Sequence, residues 1–147
     1  MKAANLSIIA VAISIATVLE TPPSNASPRN DSQFRRCDFG RRANCVVDGD
    51  TIWFAGEKIR IADIDTPEVS EPKCQSERAL GNKATARLIE LINAGPFELK
   101  AWPGRDEDRY GRKLRVLMRE GHSLGDILVT EGLARTWTGR RQPWCGR

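Results

Sequence analysis

The alternation of hydrophobic and polar positions changes along the chain from a β period to a helical period. The β period predicts three strands, over 45–47, 51–55 and 58–64. In the third of these, Ile59 and Ile61 fall on one face and Arg60 falls on the other. Ile64 is out of phase with both isoleucines, so the pattern leaves the end of this strand undefined.

A helical period follows Cys74. One face of the helix predicted over 75–93 carries apolar residues at helical spacing, namely Leu80, Ala84, Leu88, Leu91 and Ile92. Gly95 and Pro96 are typical of residues that end a helix. The remaining pattern predicts strands over 97–102, 113–119 and 133–137 and a second helix over 123–131. This mixture of elements predicts a small α+β domain.

The first residues of the chain have the pattern of an export signal. A largely apolar run follows Lys2, and Ser24-Asn25-Ala26 supplies the small residues of a cleavage site after Ala26. We therefore expect a secreted or periplasmic protein whose mature form does not contact the membrane. The alternative is an uncleaved anchor, because the apolar run is only slightly shorter than a membrane-spanning helix. The predicted organisation is a signal peptide over 1–26, a flexible leader over 27–43 and one folded domain over 44–147.

Four cysteines follow this export signal, an even number that favours disulfides over free thiols. They allow three pairings, of which we favour Cys37–Cys45 and Cys74–Cys145. The first pair would pin the N-terminal segment to the first strand, and the second would tie the C-terminal tail to the loop after Glu68. A zinc site built from all four cysteines is the alternative, but the chain contains no CxxC pair.

The chain is mildly basic, with a net charge of +4. Removal of residues 1–26 leaves this charge unchanged, because one lysine and one glutamate are lost together. A positive field favours polyanionic partners but does not by itself select nucleic acid. The sequence has one histidine, His122, in a predicted turn without a nearby nucleophile pattern. We interpret it as structural, which argues against a histidine-based cleavage mechanism.

Three short motifs combine acids and arginines in a way that suits one kind of chemistry. They are Val47-Asp48-Gly49-Asp50-Thr51, the stretch RIADIDTPE from Arg60 to Glu68, and Asp108-Arg109-Tyr110-Gly111-Arg112. Carboxylate oxygens are the ligands that hard divalent cations prefer, and a nearby carboxylate can orient or deprotonate water. Arginines match the oxygens of a phosphate group and stabilise the charge that develops there. These residue types predict metal-assisted cleavage of a phosphodiester.

In this order and spacing, the motifs resemble those of the thermonuclease, or staphylococcal-nuclease-like, family. The resemblance runs from about Cys45 to about Arg135. It implies an α+β fold, a small five-stranded OB-fold β-barrel with two to three packed helices. It also implies a calcium-dependent nuclease that cleaves P–O5′ bonds of DNA and RNA, with single strands favoured, and leaves 3′-phosphate ends. We expect the protein to act as a monomer.

The resemblance assigns the acidic residues to two roles. Asp50 and Asp65 correspond to calcium ligands, and the backbone carbonyl of Thr66 corresponds to a third ligand. Glu68 corresponds to the proposed general base, and Pro67 restricts the backbone just before it. Taken alone, Asp50 would be a turn residue and Glu68 an ordinary loop carboxylate. The ordered set of motifs favours the functional interpretation of both.

The resemblance also assigns the basic and aromatic residues. Arg60 and Arg112 correspond to two arginines that bind the scissile phosphate. Arg109 and Tyr110 correspond to a pair that contacts a terminal phosphate of the bound nucleotide, although Tyr110 could instead pack on the barrel rim. The tyrosines on which a base stacks in the family are absent here, and Trp137 either replaces them or packs in the core.

Two other functions stay open from the residues alone. One is an OB-fold module that binds nucleic acid and has lost catalysis, which would be expected to lack part of the acid–arginine set. The other is an exported protein that binds calcium or a polyanion without cleaving it. A nuclease is the favoured prediction because every position of the three motifs is present.

Overall fold

The structure is a computed structural model that describes residues 33–38, 40 and 42–146 of the chain. Its strands are β1 Cys45–Asp48, β2 Thr51–Phe54, β3 Glu57–Ile61, β4 Ile64–Asp65, β5 Glu98–Ala101, β6 Lys113–Arg119, β7 His122–Ser123 and β8 Arg135–Thr136. Its helices are α1 Gln75–Asn93 and α2 Leu124–Thr130. The predicted α+β class is therefore confirmed, and α1 has the predicted bounds.

The main sheet is mixed, with strand order β1-β2-β3-β6-β5 and with β7 beside β6. β3 and β6 run parallel, with Arg60 opposite Leu114, and the other pairs in this sheet are antiparallel. β4 and β8 form a separate antiparallel pair. This order is consistent with an OB-fold, but hydrogen bonds between the described strands do not close the expected barrel. The free edge of β1 is covered instead, because the backbone of residues 35–37 hydrogen-bonds to Val46.

The strand predicted over 58–64 is two strands separated by a turn. β3 ends at Ile61, residues 62–63 turn, and β4 begins at Ile64. The turn allows Ile59, Ile61 and Ile64 all to be buried in the core. It explains why Ile64 is out of phase with the other two isoleucines in the sequence.

The hydrophobic core includes Phe34, which lies in the segment predicted to be a flexible leader. Phe34 is 2% exposed, and its ring centroid lies 6.2 Å from that of Phe54 and 6.0 Å from that of Phe97. Its backbone N–H donates to Asn93 Oδ1 and its carbonyl accepts from Asn93 Nδ2, both at 2.8 Å. This part of the segment therefore differs from a flexible leader, because one large aromatic side chain anchors an otherwise polar stretch.

Two disulfides join the N-terminal segment and the C-terminal tail to the rest of the fold. Cys37 is bonded to Cys45 and Cys74 to Cys145, the same pairs that the sequence favours. All four cysteines of the sequence are thus paired. The alternative of a four-cysteine zinc site is wrong, because disulfide sulfurs are not thiolate ligands.

Within the described residues, no helix has both the length and the apolar character needed to cross a membrane. The predicted signal peptide over 1–26 and its cleavage site lie outside these residues.

Candidate active site

An open cleft of about 910 Å³ lies beside β3 and the start of β6. Six of the residues singled out in the sequence line it: Arg60, Glu68, Arg109, Tyr110, Arg112 and Trp137. The other three, Asp50, Asp65 and Thr66, are buried and adjoin Arg60 or one another. The fold therefore brings all three motifs together in one place.

Asp50 and Asp65 flank the guanidinium group of Arg60. Asp50 Oδ2 lies 3.1 Å from Arg60 Nη1, and Asp65 Oδ1 lies 3.8 Å from Arg60 Nη2. The backbone N–H of Thr66 donates to Asp50 Oδ2 at 3.0 Å, which links the first two motifs directly. Gly49 permits this approach, because a Cβ at that position would lie 2.8 Å from the Thr66 methyl group.

Burial perturbs the acids of this cluster. It raises the pKa of Asp48 to about 7, and the nearby charge of Asp50 adds to the effect. Burial also raises the pKa of Asp65, although the positive charges of Arg141 and Arg60 oppose the shift. Asp65 Oδ1 is moreover a buried atom whose contacts within the described residues are ion pairs with arginines and not hydrogen bonds. Closely placed hard oxygens in a buried, negatively charged cluster fit a divalent cation, and these residues therefore suit the expected metal.

Glu68 lies at the edge of this cluster, in the loop between β4 and α1. Its backbone N–H donates to Glu77 Oε1 at 3.4 Å, and the backbone N–H of Lys73 donates to Glu77 Oε2 at 2.7 Å. Glu77 is buried in the first turn of α1. A buried carboxylate on the helix therefore fixes the loop that carries Glu68.

Arg112 is directed towards the acidic cluster by two neighbours. Its Nε donates to Asp108 Oδ2 at 2.7 Å, and its Nη1 donates to Thr51 Oγ1 at 3.4 Å. Thr51 Oγ1 donates in turn to Asp50 Oδ1 at 3.1 Å. Burial acts to raise the pKa of Asp108, but hydrogen bonds from Arg112 and from the N–H of Tyr110 outweigh it and hold the pKa below its ordinary value. Asp108 is therefore a charged support for Arg112.

Tyr110 stands at the rim of the cleft between two arginines. Its side chain is 68% exposed, and the guanidinium carbons of Arg109 and Arg112 lie 4.8 Å and 5.5 Å from its ring centroid. Arg109 Nη2 donates to the Tyr110 hydroxyl at 2.7 Å. The ring is accessible from solvent and does not pack into the core.

Trp137 forms part of the cleft wall next to Arg60. Its ring centroid lies 5.8 Å from Arg60 Cζ, and its backbone N–H donates to the Asp63 carbonyl at 2.8 Å. The sequence left open whether Trp137 offers a surface for base stacking or packs in the core. In the structure, Trp137 lines the cleft.

The C-terminal residues 139–145, here called the strap, enter the same site. Arg141 forms an ion pair with Glu68, and its Nε lies 3.1 Å from Asp65 Oδ1. Trp144 Nε1 donates to Asp65 Oδ2 at 3.2 Å. Glu68 and Asp65 of the candidate site are therefore joined by a segment outside the three sequence motifs.

Several of these residues were not expected from the sequence. Glu77 acts through the backbone of the loop that carries Glu68, and a supporting contact of this kind leaves no recognisable motif. Asp108 belongs to the third motif, but the sequence did not show that it supports Arg112. The sequence did contain a signal for the positions of Arg141 and Trp144. The favoured disulfide between Cys145 and Cys74 brings the basic tail back to the loop after the second motif.

Among the described residues, one group of three metal-ligating side chains has its ligand atoms close together, namely Cys74, Glu77 and Cys145. The two cysteines are bonded to each other, so their sulfurs are not thiolate ligands. Glu77 accepts the backbone N–H groups described above. We therefore interpret this group as structural.

Comparison with known proteins agrees with the geometry. The model of the family described as staphylococcal nuclease homologue matches residues 58–144. Endonuclease YncB of Bacillus subtilis (strain 168) is 38% identical over 94 residues, which cover 61% of this chain and 44% of that protein. The SPbeta prophage-derived endonuclease YokF of the same organism is 39% identical over 94 residues, which cover 61% of this chain and 31% of that protein.

Succinoglycan biosynthesis protein ExoI of Rhizobium meliloti (strain 1021) is 32% identical over 94 residues, covering 60% of this chain and 48% of that protein. The chain thus spans less than half the length of each of these three relatives. The family model itself covers more than half of the chain and includes Arg60, the second and third motifs and most of the strap. The chain belongs to the family of staphylococcal nuclease homologues.

Proposed function

We propose that the protein is a nuclease that uses a divalent cation, Ca²⁺, to hydrolyse phosphodiester bonds in DNA and RNA. The observation that supports this most strongly is the convergence of three carboxylates and two arginines at one open cleft. The endonuclease names of two relatives agree with it. A cation held by Asp50, Asp65 and the Thr66 carbonyl would supply positive charge to the phosphate and to the attacking water.

The protein residues divide the remaining chemistry between them. Glu68 carries its carboxylate into the cleft, where it can orient a water molecule and accept its proton. The water oxygen forms a bond to phosphorus as the P–O5′ bond breaks. The products are a 3′-phosphate and a 5′-hydroxyl, whose proton comes from solvent.

The two arginines bind the phosphate on which negative charge develops. Arg60 is fixed by its buried ion pairs with Asp50 and Asp65, and Arg112 is fixed by Asp108. Preorganised donors of this kind stabilise the transition state because they do not need to reorient during the reaction. Arg109 and Tyr110 lie farther out on the rim, where they would contact the neighbouring phosphate.

The cleft also suggests which form of substrate it prefers. Trp137 and Tyr110 present aromatic faces on which unpaired bases can stack, so we expect single strands to bind better than duplexes. Two disulfides favour an oxidising location, in agreement with a secreted or periplasmic protein.

Incubation of the purified, oxidised protein with single-stranded DNA tests this function. We expect cleavage in the presence of Ca²⁺, loss of cleavage when a chelator removes the cation, and a decrease of about a hundredfold or more in the E68Q variant. Analysis of the product ends should show 3′-phosphates.

E71Q is the matched control, because Glu71 is an exposed acid in the same loop. It should retain the activity of the wild-type protein. Intact DNA that is nevertheless bound by the folded protein would contradict the nuclease and would favour a binding module without catalysis.

A further inference from the structure

The strap places a third arginine among the catalytic acids. Arg141 pairs with Glu68, and its Nε and Nη2 lie 3.1 Å from Asp65 Oδ1 and 4.0 Å from Asp50 Oδ2. These carboxylates are the same three that the proposed function assigns to the cation and to the water. One guanidinium group therefore lies where the negative charge of the site is concentrated.

We propose that Arg141 is a built-in counter-ion that competes with the divalent cation for Asp50, Asp65 and Glu68, and so sets the cation affinity of the site. This inference rests on the proposed function of the cleft. A guanidinium group carries a permanent charge and has only hydrogen-bond donors, so it cannot itself become a ligand of the cation. Binding of the cation must therefore displace Arg141 from the carboxylates.

Arg141 is better suited to this exchange than Arg60, which pairs with two of the same carboxylates. The Arg60 side chain is 8% exposed, and its Nη1 also donates to the Ile61 carbonyl at 2.5 Å. The Arg141 side chain is 42% exposed. Arg60 is therefore a permanent part of the site, whereas Arg141 has room to move into solvent or towards a bound phosphate.

The rest of the strap keeps Arg141 close to the acids even when it is displaced. Cys145 is bonded to Cys74, and Trp144 donates to Asp65. Arg135 Cζ lies 3.8 Å from the Trp144 ring centroid, and Arg135 Nη1 donates to the Pro143 carbonyl at 3.1 Å. A side chain tethered so near its partners has a high effective concentration, which makes it a strong competitor for a weakly bound ion.

Calorimetric titration of the oxidised protein with Ca²⁺ tests this role without measuring catalysis. We expect R141Q to bind Ca²⁺ roughly two- to fivefold more tightly than the wild-type protein, since a partly exposed ion pair of moderate strength is removed. R141K, which keeps the positive charge, should restore most of the wild-type affinity.

R140Q is the matched control, because Arg140 lies in the same strap and its loss changes the net charge by the same amount. It has no ion pair with these carboxylates among the described residues. Equal affinities of R141Q and R140Q, or weaker binding by R141Q, would overturn the role of Arg141. Absence of Ca²⁺ binding by the wild-type protein and every variant would overturn the cation site, and with it the proposed function.

Discussion

Asp108 determines where the guanidinium group of Arg112 points, although the carboxylate itself belongs to the turn before β6. It accepts the Arg112 side chain at 2.7 Å and two backbone N–H groups of the same turn. A charge-assisted bond of this kind defines both the position and the direction of the arginine. We therefore assign Asp108 as a positioning residue for Arg112, the arginine proposed to bind phosphate.

We predict that D108N lowers kcat/KM for single-stranded DNA about ten- to hundredfold, because small displacements of a positioned group have large effects on rate. Ca²⁺ affinity should stay close to that of the wild-type protein. D106N is the control, since Asp106 forms ion pairs on the surface and its side chain is 57% exposed. Steady-state kinetics with equal losses in D108N and D106N would argue against a positioning role.

The sequence identified the residues that touch the proposed reaction better than the residues that support them. Asp50, Asp65 and Arg112 belong to motifs whose chemistry can be read from residue type and spacing. Asp108 was within a motif but had no assigned role, and Arg141 was outside all motifs. The contacts of these two residues depend on the path of a turn and of the strap, which only the folded chain defines.

At the scale of elements, helix α1 is a support for the loop that carries Glu68. Its Gly81 packs directly on that loop: a Cβ there would lie 2.7 Å from the Pro67 carbonyl oxygen and 3.1 Å from the Glu68 carbonyl oxygen. Both contacts are with backbone atoms, which cannot move aside without shifting the loop. Glu77, one helical turn earlier, holds the same loop through hydrogen bonds.

We predict that G81A destabilises the protein by about 1–3 kcal/mol, because overpacking at this contact exceeds the gain of about 1 kcal/mol in helix propensity. The nuclease activity should decrease as well, because the Glu68 loop moves. Urea unfolding measures the stability, and K83A on the exposed side of α1 is the control. A G81A protein more stable than the wild type would show that the loop backbone shifts to accept the added methyl group without loss of unfolding free energy.

The elements that the sequence predicted best are those with a long, regular period. Helix α1 has nineteen residues and a continuous apolar face, and its predicted bounds agree with the structure. The two-residue strands β4 and β8 are set by a turn and by pairing between distant segments. Such pairing has no local signal, so the break between β3 and β4 appeared in the sequence only as the irregular position of Ile64.

At the scale of the whole molecule, the two disulfides differ in how much chain they close. Cys37–Cys45 spans 8 residues and Cys74–Cys145 spans 71. The longer loop restricts the unfolded chain more strongly, and it also joins the strap to the start of α1. The second disulfide therefore stabilises the fold and also holds the strap at the candidate site.

We predict that the C74S/C145S variant loses about 4 kcal/mol of unfolding free energy and that C37S/C45S loses about 2.5 kcal/mol, from the entropy of loop closure. Urea unfolding of both double variants, with the oxidised wild-type protein as reference, gives the comparison. The loop-length argument would be wrong if C37S/C45S were the less stable of the two.

The N-terminal segment shows that amino-acid composition does not predict the burial of every residue. Residues 27–43 are largely polar and charged, which is typical of a flexible segment. Phe34 nevertheless completes an aromatic cluster with Phe54 and Phe97. The partners of Phe34 are far away in sequence, so a local average over the segment could not reveal its burial.

The parallel pairing of β3 with β6 has a consequence for the cell that makes the protein. It brings Arg60 next to Leu114, two residues beyond Arg112, across the part of the chain that contains α1 and β5. Closing a loop of this length costs conformational entropy, so pairing of this kind is slower than local pairing. A nascent chain that has not yet reached β6 lacks both Arg112 and the parallel partner of β3, and we therefore expect it to lack the proposed activity.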